Sequence, residues 1–129
     1  MPRQPRFVEL DSVPWIPMTD VWPDAPPGPE LKVLSVDAES GAQTMLFRAP
    51  PGWCTPQPES HPMLQEDVLL EGEAIFGEQR FRAPAYFCFP EGYVHPAVRT
   101  ETGFTMIVTF GGAFAVDYHD VGPAHPLPS

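Results

Sequence analysis

From residue 31 onward the chain alternates short runs of β-branched and aromatic residues with clusters of Gly, Pro and acidic residues. On this pattern Leu31–Ala38, Gln43–Ala49, Asp67–Leu70, Glu73–Phe81, Tyr86–Phe89, Tyr93–Arg99, Phe104–Phe110 and Ala113–Tyr118 read as strands. Phe104, Met106 and Val108 share one face of their strand and Thr105, Ile107 and Thr109 the other. Met45 and Phe47 oppose Thr44, Leu46 and Arg48 in the same way, so either set can floor a pocket. No amphipathic helix pattern interrupts them. Many short strands with regular turn signals predict a single all-β domain, an antiparallel barrel or sandwich of six to ten strands with no helix longer than about three turns.

The 19 prolines are roughly three times the usual share of about 5%. They bar long helices and gather near the termini and at strand ends. They divide the chain into an arm over 1–30, a barrel over 31–118 and a tail over 119–129. Trp15, Ile16 and Trp22 lie between prolines of the arm, which is therefore expected to pack extended against the barrel. These same side chains have few places to hide on a small domain, which predicts a homodimer. With 129 residues, 43% of them apolar and 12% aromatic, one core is affordable.

A net charge of −10 and a pI near 4.6 argue against nucleic acid or anionic membrane as partners, because both demand a basic face. No apolar run approaches the roughly 18 residues of a membrane span, and no signal-peptide core follows Met1. The expectation is a soluble cytoplasmic protein whose partner is a small molecule. Cys54 and Cys88 read as half-buried strand thiols, too few for a disulfide framework or a CxxC zinc site. His119 and His125 read as solvent-exposed.

Two segments carry the candidate chemistry: "ESHPMLQEDVLLEGE" from Glu59 to Glu73 and "FPEGYVH" from Phe89 to His95. Residues i and i+2 of an extended strand share a face, so Glu59 and His61 can point the same way. A second strand can bring His95 opposite them, and Gln65 offers a fourth donor. Two imidazoles and a carboxylate with open positions suit non-haem Fe(II), while Zn, Ni, Mn and Cu fit the same donor types. Glu66 competes as the carboxylate if a bulge turns it inward. Arg99 follows His95 at i+4 and either reaches the cavity mouth, to meet an anionic group, or pairs with Glu101 at the surface.

The order His61-x-x-x-Gln65, six residues, Gly72, then Pro90-x-Gly92-x-x-His95 resembles the two motifs of the cupin superfamily. Glu59 stands where that family usually has its first His, Gln65 where it has Glu, Arg99 where it often has Asn, and Pro84 where a glycine opens the second motif. The lead-in Leu31–Trp53 is similar to that of small single-domain cupins, among them the anti-sigma-factor cupin domain and the acetylacetone-cleaving dioxygenases. The resemblance covers about residues 7–118 and implies a jelly-roll-like, double-stranded β-helix barrel. It further implies a divalent metal held by Glu59, His61, Gln65 and His95, with Gln65 and Arg99 as candidate catalytic residues. The activity it implies is a dioxygenase-like reaction on a small dicarbonyl or phenolic compound. A lyase, isomerase or cyclase on the same metal, and a non-catalytic binding or sensing cupin, are the alternatives.

Overall fold

The longest strand of the protein runs through the closing glycine of the first motif without a break. The computed structural model describes residues 3–120; the tail from Val121, with His125, lies outside them. A 3-10 turn at Leu10–Ser12, β1 (Ile16–Pro17) and the single-turn α1 (Met18–Val21) precede β2 (Glu30–Val36), β3 (Gln43–Ala49) and β4 (Glu59–Ser60). Then follow β5 (Gln65–Phe76), β6 (Gln79–Arg82), β7 (Ala85–Phe89), β8 (Val98–Arg99), β9 (Phe104–Phe110) and β10 (Asp117–Tyr118). All pairings are antiparallel. One sheet orders the strands β1-β2-β3-β9-β5-β6, with β7 and β8 also paired to β5, and β10 pairs β4 separately. The fold is the all-β antiparallel class expected from the alternation.

β5 explains how one sheet closes around a cavity. Its first half, Gln65–Leu69, lies between β7 and β9, whereas its second half, Glu73–Phe76, lies between β6 and β8. The register with β9 shifts between Leu69 and Glu71, a bulge that bends the strand. Gly72 follows with φ +79°, and a Cβ added there would stand 2.1 Å from the Gly103 carbonyl oxygen. Only glycine fits that approach. The segments expected as two strands, Asp67–Leu70 and Glu73–Phe81, are therefore one strand followed by a turn at Gly77 and the short β6.

Two further segments are shorter than their composition predicts. Within Tyr93–Arg99 only Val98 and Arg99 form a strand, and His95 makes a single bridge to Glu59. Pro96 interrupts the run, having no N–H for a ladder. Ala113–Tyr118 contributes only Asp117 and Tyr118. Cys54 and Cys88 are exposed rather than half-buried. Cys88 alternates with the buried Phe87 and Phe89 and so falls on the outer face of β7.

The N-terminal segment crosses the outer face of β2 and β3. Arg3 donates to the hydroxyls of Ser35 and Thr44, Arg6 to the Leu34 carbonyl, and Lys32 Nζ to the Leu10 carbonyl at 2.7 Å. Trp15 lies beneath the Lys32 ammonium and the Arg48 guanidinium, 4.8 and 4.0 Å from its ring centre. Its ring is thus covered within the subunit, and Trp22 is covered by Phe114 at 4.3 Å between centroids. Exposed apolar side chains lie elsewhere, among them Val68, Leu70 and Tyr86 on the outer face of β5 and β7, and Phe7 in the arm.

Gly72→Ala should cost roughly 3 kcal/mol or more, since it combines a left-handed backbone position with a collision against backbone. Urea denaturation measures this. A loss below about 1 kcal/mol would show that β5 and the Gly103 turn separate freely.

Candidate metal centre

Glu59, His61 and His95 meet because two short segments pair by a single reciprocal bridge. The Glu59 amide donates to the His95 carbonyl at 3.1 Å and the His95 amide to the Glu59 carbonyl at 2.9 Å. The Gly92 amide, in the turn before His95, donates to the His61 carbonyl at 2.8 Å. Glu59 and His61 share one face of the extended β4 segment, and the bridge sets His95 opposite. Glu59 Oε2 lies 3.6 Å from His61 Nε2 and 3.8 Å from His95 Nε2. One donor atom from each of the three residues falls within 4.8 Å of the other two.

Hydrogen bonds at the far side of each ring decide which nitrogen faces the centre. His61 Nδ1 donates to the Ala115 carbonyl and His95 Nδ1 to the Pro96 carbonyl, both at 2.8 Å. A carbonyl only accepts, so Nδ1 carries the proton and each Nε2 presents a lone pair. The Nε2 of His95 is buried and has no hydrogen-bond partner among the described residues. Two lone pairs and a carboxylate converging in a buried place fit a divalent transition metal, and the carbonyls behind the rings hold them as such ligands are held. The titration of the rings follows their surroundings. Burial lowers the pKa of His61, but the Glu59 carboxylate and the Ala115 carbonyl outweigh it and raise the pKa above its ordinary value. For His95 burial prevails, and its pKa lies below the ordinary value.

Gln65 and a residue that motif reading passed over complete the polar floor. Gln65 Nε2 donates to both carboxylate oxygens of Asp67 at 3.0 Å, and Gln65 Oε1 is buried without a hydrogen-bond partner among the described residues. Asp67 is 3% exposed. Burial pushes its pKa up to about 7, opposed by the Gln65 amide and the nearby His61. The signal that finds Asp67 is the same i, i+2 alternation that paired Glu59 with His61, applied to Gln65.

Other candidates lie apart. Arg99 is half exposed, approaches Glu101 at 3.5 Å and does not line the cavity, because the chain bends at Pro96 and turns Val98 inward instead. Glu66 stays on the outer face and accepts from the Tyr86 hydroxyl at 2.6 Å. His119 is half-buried rather than exposed, its Nε2 2.8 Å from the Ser60 hydroxyl oxygen.

The three donors open onto a cavity of about 410 Å³, near the lower end of the roughly 300–1,000 Å³ typical of small-molecule sites. Both sets floor it: Met45 and Phe47 from β3, and Phe104, Met106 and Val108 from β9. Phe76, Phe89, Phe110 and Phe114 wall it, and Trp22 to Pro26 of the arm lie at its edge.

A model of the ChrR cupin-like domain matches residues 3–115, most of the chain. The chain belongs to this family. Its fold is shared with solved cupin structures. A proposed acetylacetone dioxygenase of Methylibium petroleiphilum PM1 is 20% identical with a TM-score of 0.71, over 92% of this chain and 83% of that one. An acetylacetone dioxygenase from Acinetobacter johnsonii is 19% identical with a TM-score of 0.71, over 95% and 84%. The polyketide cyclase RemF from Streptomyces resistomycificus is 17% identical with a TM-score of 0.63, over 95% and 89%. At such identities the likeness establishes the cupin fold alone. No curated protein sequence matches this cupin. No helix among the described residues is long and apolar enough to cross a membrane.

Asp67 gives this cupin a pH-dependent stability. Its native pKa lies above its ordinary value of 3.8, so between the two the folded state holds a proton that the unfolded state has lost. Its contribution is therefore greatest below the unfolded pKa and declines as pH rises towards about 7, by at most about 4 kcal/mol. Asp67→Asn should remove this slope. Urea denaturation of chelator-treated protein across that range should show the variant gaining on the parent as pH rises; a constant difference would refute the assignment.

Proposed function

We propose that the protein is a metal-dependent cupin enzyme of the dioxygenase-like kind, acting on a small dicarbonyl or phenolic compound, with Fe(II) as the favoured metal. The observation that carries this is the convergence of the His61 and His95 Nε2 lone pairs with the Glu59 carboxylate at the wall of an aromatic cavity. A divalent metal held there would supply Lewis-acid polarisation of a ligand oxygen and, as Fe(II), the one-electron chemistry that O₂ requires. Glu59 contributes the single formal negative charge of this donor set. The carbonyls of Ala115 and Pro96 keep both rings in the ligating tautomer. The phenylalanine walls exclude water from the ligand, and Gln65 offers a hydrogen-bond acceptor beside it. Arg99 is not part of this reading.

A non-catalytic binding cupin is the second reading, favoured by Gln65: an amide committed to Asp67 replaces a fourth carboxylate donor. Metal analysis of untagged protein, with O₂ uptake on acetylacetone and catechol, separates the two. The enzyme reading expects bound metal and uptake. His61→Ala or His95→Ala should each weaken Fe(II) or Zn(II) binding by about a hundredfold or more, beyond what loss of an outer partner costs. Metal affinity that survives both substitutions would end the proposal.

The assembly we propose is a homodimer. The covered Trp15 and Trp22 do not motivate it, but the outward row of Tyr86, Val68 and Ile107, neighbours in register across β7, β5 and β9, does. Light scattering should give twice the mass of the 14.3 kDa chain, and a single-chain mass across a concentration series would remove the claim.

A further inference from the structure

Gln65 and Asp67 lie on the inner face of β5, and both line the cavity. Their contact dictates which end of the amide faces the interior. A carboxylate accepts hydrogen bonds and, when ionised, donates none, so the amide that touches both Asp67 oxygens does so through its NH₂. The carbonyl Oε1 is then the polar atom left over, and it is buried without a hydrogen-bond partner among the described residues. Its environment calls for a donor. The formal charges around it are one-sided: Glu59, Asp67 and, at the edge, Asp24 line the cavity, and no Lys or Arg does. An occupant bearing a carboxylate or phosphate away from the metal donors would find no Lys or Arg to pair with and two acids, Glu59 and the buried Asp67, to repel it. The remaining wall is aromatic, and flat rings pack well against it.

We infer that the cavity selects a neutral, planar molecule bearing a hydroxyl, an enol or a phenol, whose O–H donates to Gln65 Oε1, and that Asp67 is the positioning residue that sets this polarity. The inference rests on the cavity's proposed role as the ligand site and narrows the class of ligand. Gln65 is here a specificity-determining acceptor, not a metal ligand.

The test uses three probes on the whole chain, zinc-loaded and metal-free: 2-naphthol, 2-methoxynaphthalene, which keeps the shape but lacks the donor, and 6-hydroxy-2-naphthoate, which adds an anion. Calorimetric titration at mildly alkaline pH reads the affinities. The parent should prefer naphthol to its methyl ether by about tenfold, the cost of leaving one buried acceptor unpaired, and should bind the naphthoate at least as weakly as the ether. Gln65→Leu should abolish the preference while leaving the ether's affinity and the zinc affinity unchanged. Gln65→Met serves the same purpose should the leucine variant not fold. Asp67→Asn presents a donor as well as an acceptor to the amide, so it should cut the preference to about two- to threefold without weakening the ether, a change in selectivity that loss of packing alone would not produce.

Equal affinity of the parent for naphthol and its ether overturns the inference, as does a preference that survives Gln65→Leu, tight binding of the naphthoate, or no binding of any probe. Loss of zinc from the Gln65 variants also overturns it, by making Gln65 a ligand. Failure of the parent to bind zinc, with the naphthol preference intact, refutes the metal reading and leaves this one standing.

Discussion

The contact of Gly72 with the Gly103 carbonyl is the constraint on which the site depends. β5 must serve two sets of neighbours, β7 and β9 along its first half and β6 and β8 along its second. The bulge after Leu69 and the positive φ of Gly72 supply the bend between them. Without that bend, period-2 alternation would carry Gln65, Asp67, Leu69, Glu71 and Glu73 along one face. With it, Gln65 and Asp67 from one half and Phe76 from the other line the same cavity. Polar floor and aromatic wall thus come from one strand, placed by a single backbone approach that no side chain tolerates.

Burial of ionisable groups in an aromatic cavity is costly, and Asp67, Glu59 and His95 meet it differently. Asp67 is met only by the Gln65 amide and the nearby His61, which do not offset its burial, and its pKa rises to about 7. Glu59, whose side chain is 13% exposed, faces two Nε2 atoms at 3.6 and 3.8 Å, beyond hydrogen-bond length. His95 Nε2 has no hydrogen-bond partner among the described residues. These atoms are too far apart to satisfy one another and too close to be independent, which is the spacing of groups that share a third body between them. Gln65 fits the same logic. A carboxylate at 65 would stand against Asp67, whereas the amide donates to it, so the neutral residue where the cupin motif usually has Glu follows from the acid two positions on.

Local geometry separates what the sequence discloses from what it does not. β3 and β9 were legible residue for residue because each apolar run is bounded by Gly or Pro and no proline or bulge interrupts their pairing. Glu59, His61 and His95 were legible because spacing of two on a strand and a Pro-x-Gly turn each have one simple consequence. Alternation left two places open to Arg99, and because the ladder fails at Pro96 it takes the surface one, beside Glu101. Asp67 was overlooked because it sits in a strand read only for its apolar members, although Gln65 and Asp67 stand at the same i, i+2 spacing as Glu59 and His61. The fate of Trp15 depends on Lys32 and Arg48, neighbours only after β2 and β3 have paired, and no local pattern reports that.

β4 is two residues long, and a strand so short has no stability of its own. It is held on one side by the Glu59–His95 bridge and on the other by β10, which sets Tyr118 opposite Glu59 and Asp117 opposite Ser60. The orientation of His61 is fixed by the Ala115 carbonyl, and its ring rests against Phe110 and Phe114. Phe114 in turn packs against Trp22 of the arm. The donors therefore belong to the two motifs, but the angle of at least one imidazole belongs to residues 110–118, beyond both, and to an arm that precedes them. A motif supplies ligand atoms; the chain that closes over it decides whether their lone pairs meet, and here both ends of the barrel take part in that decision.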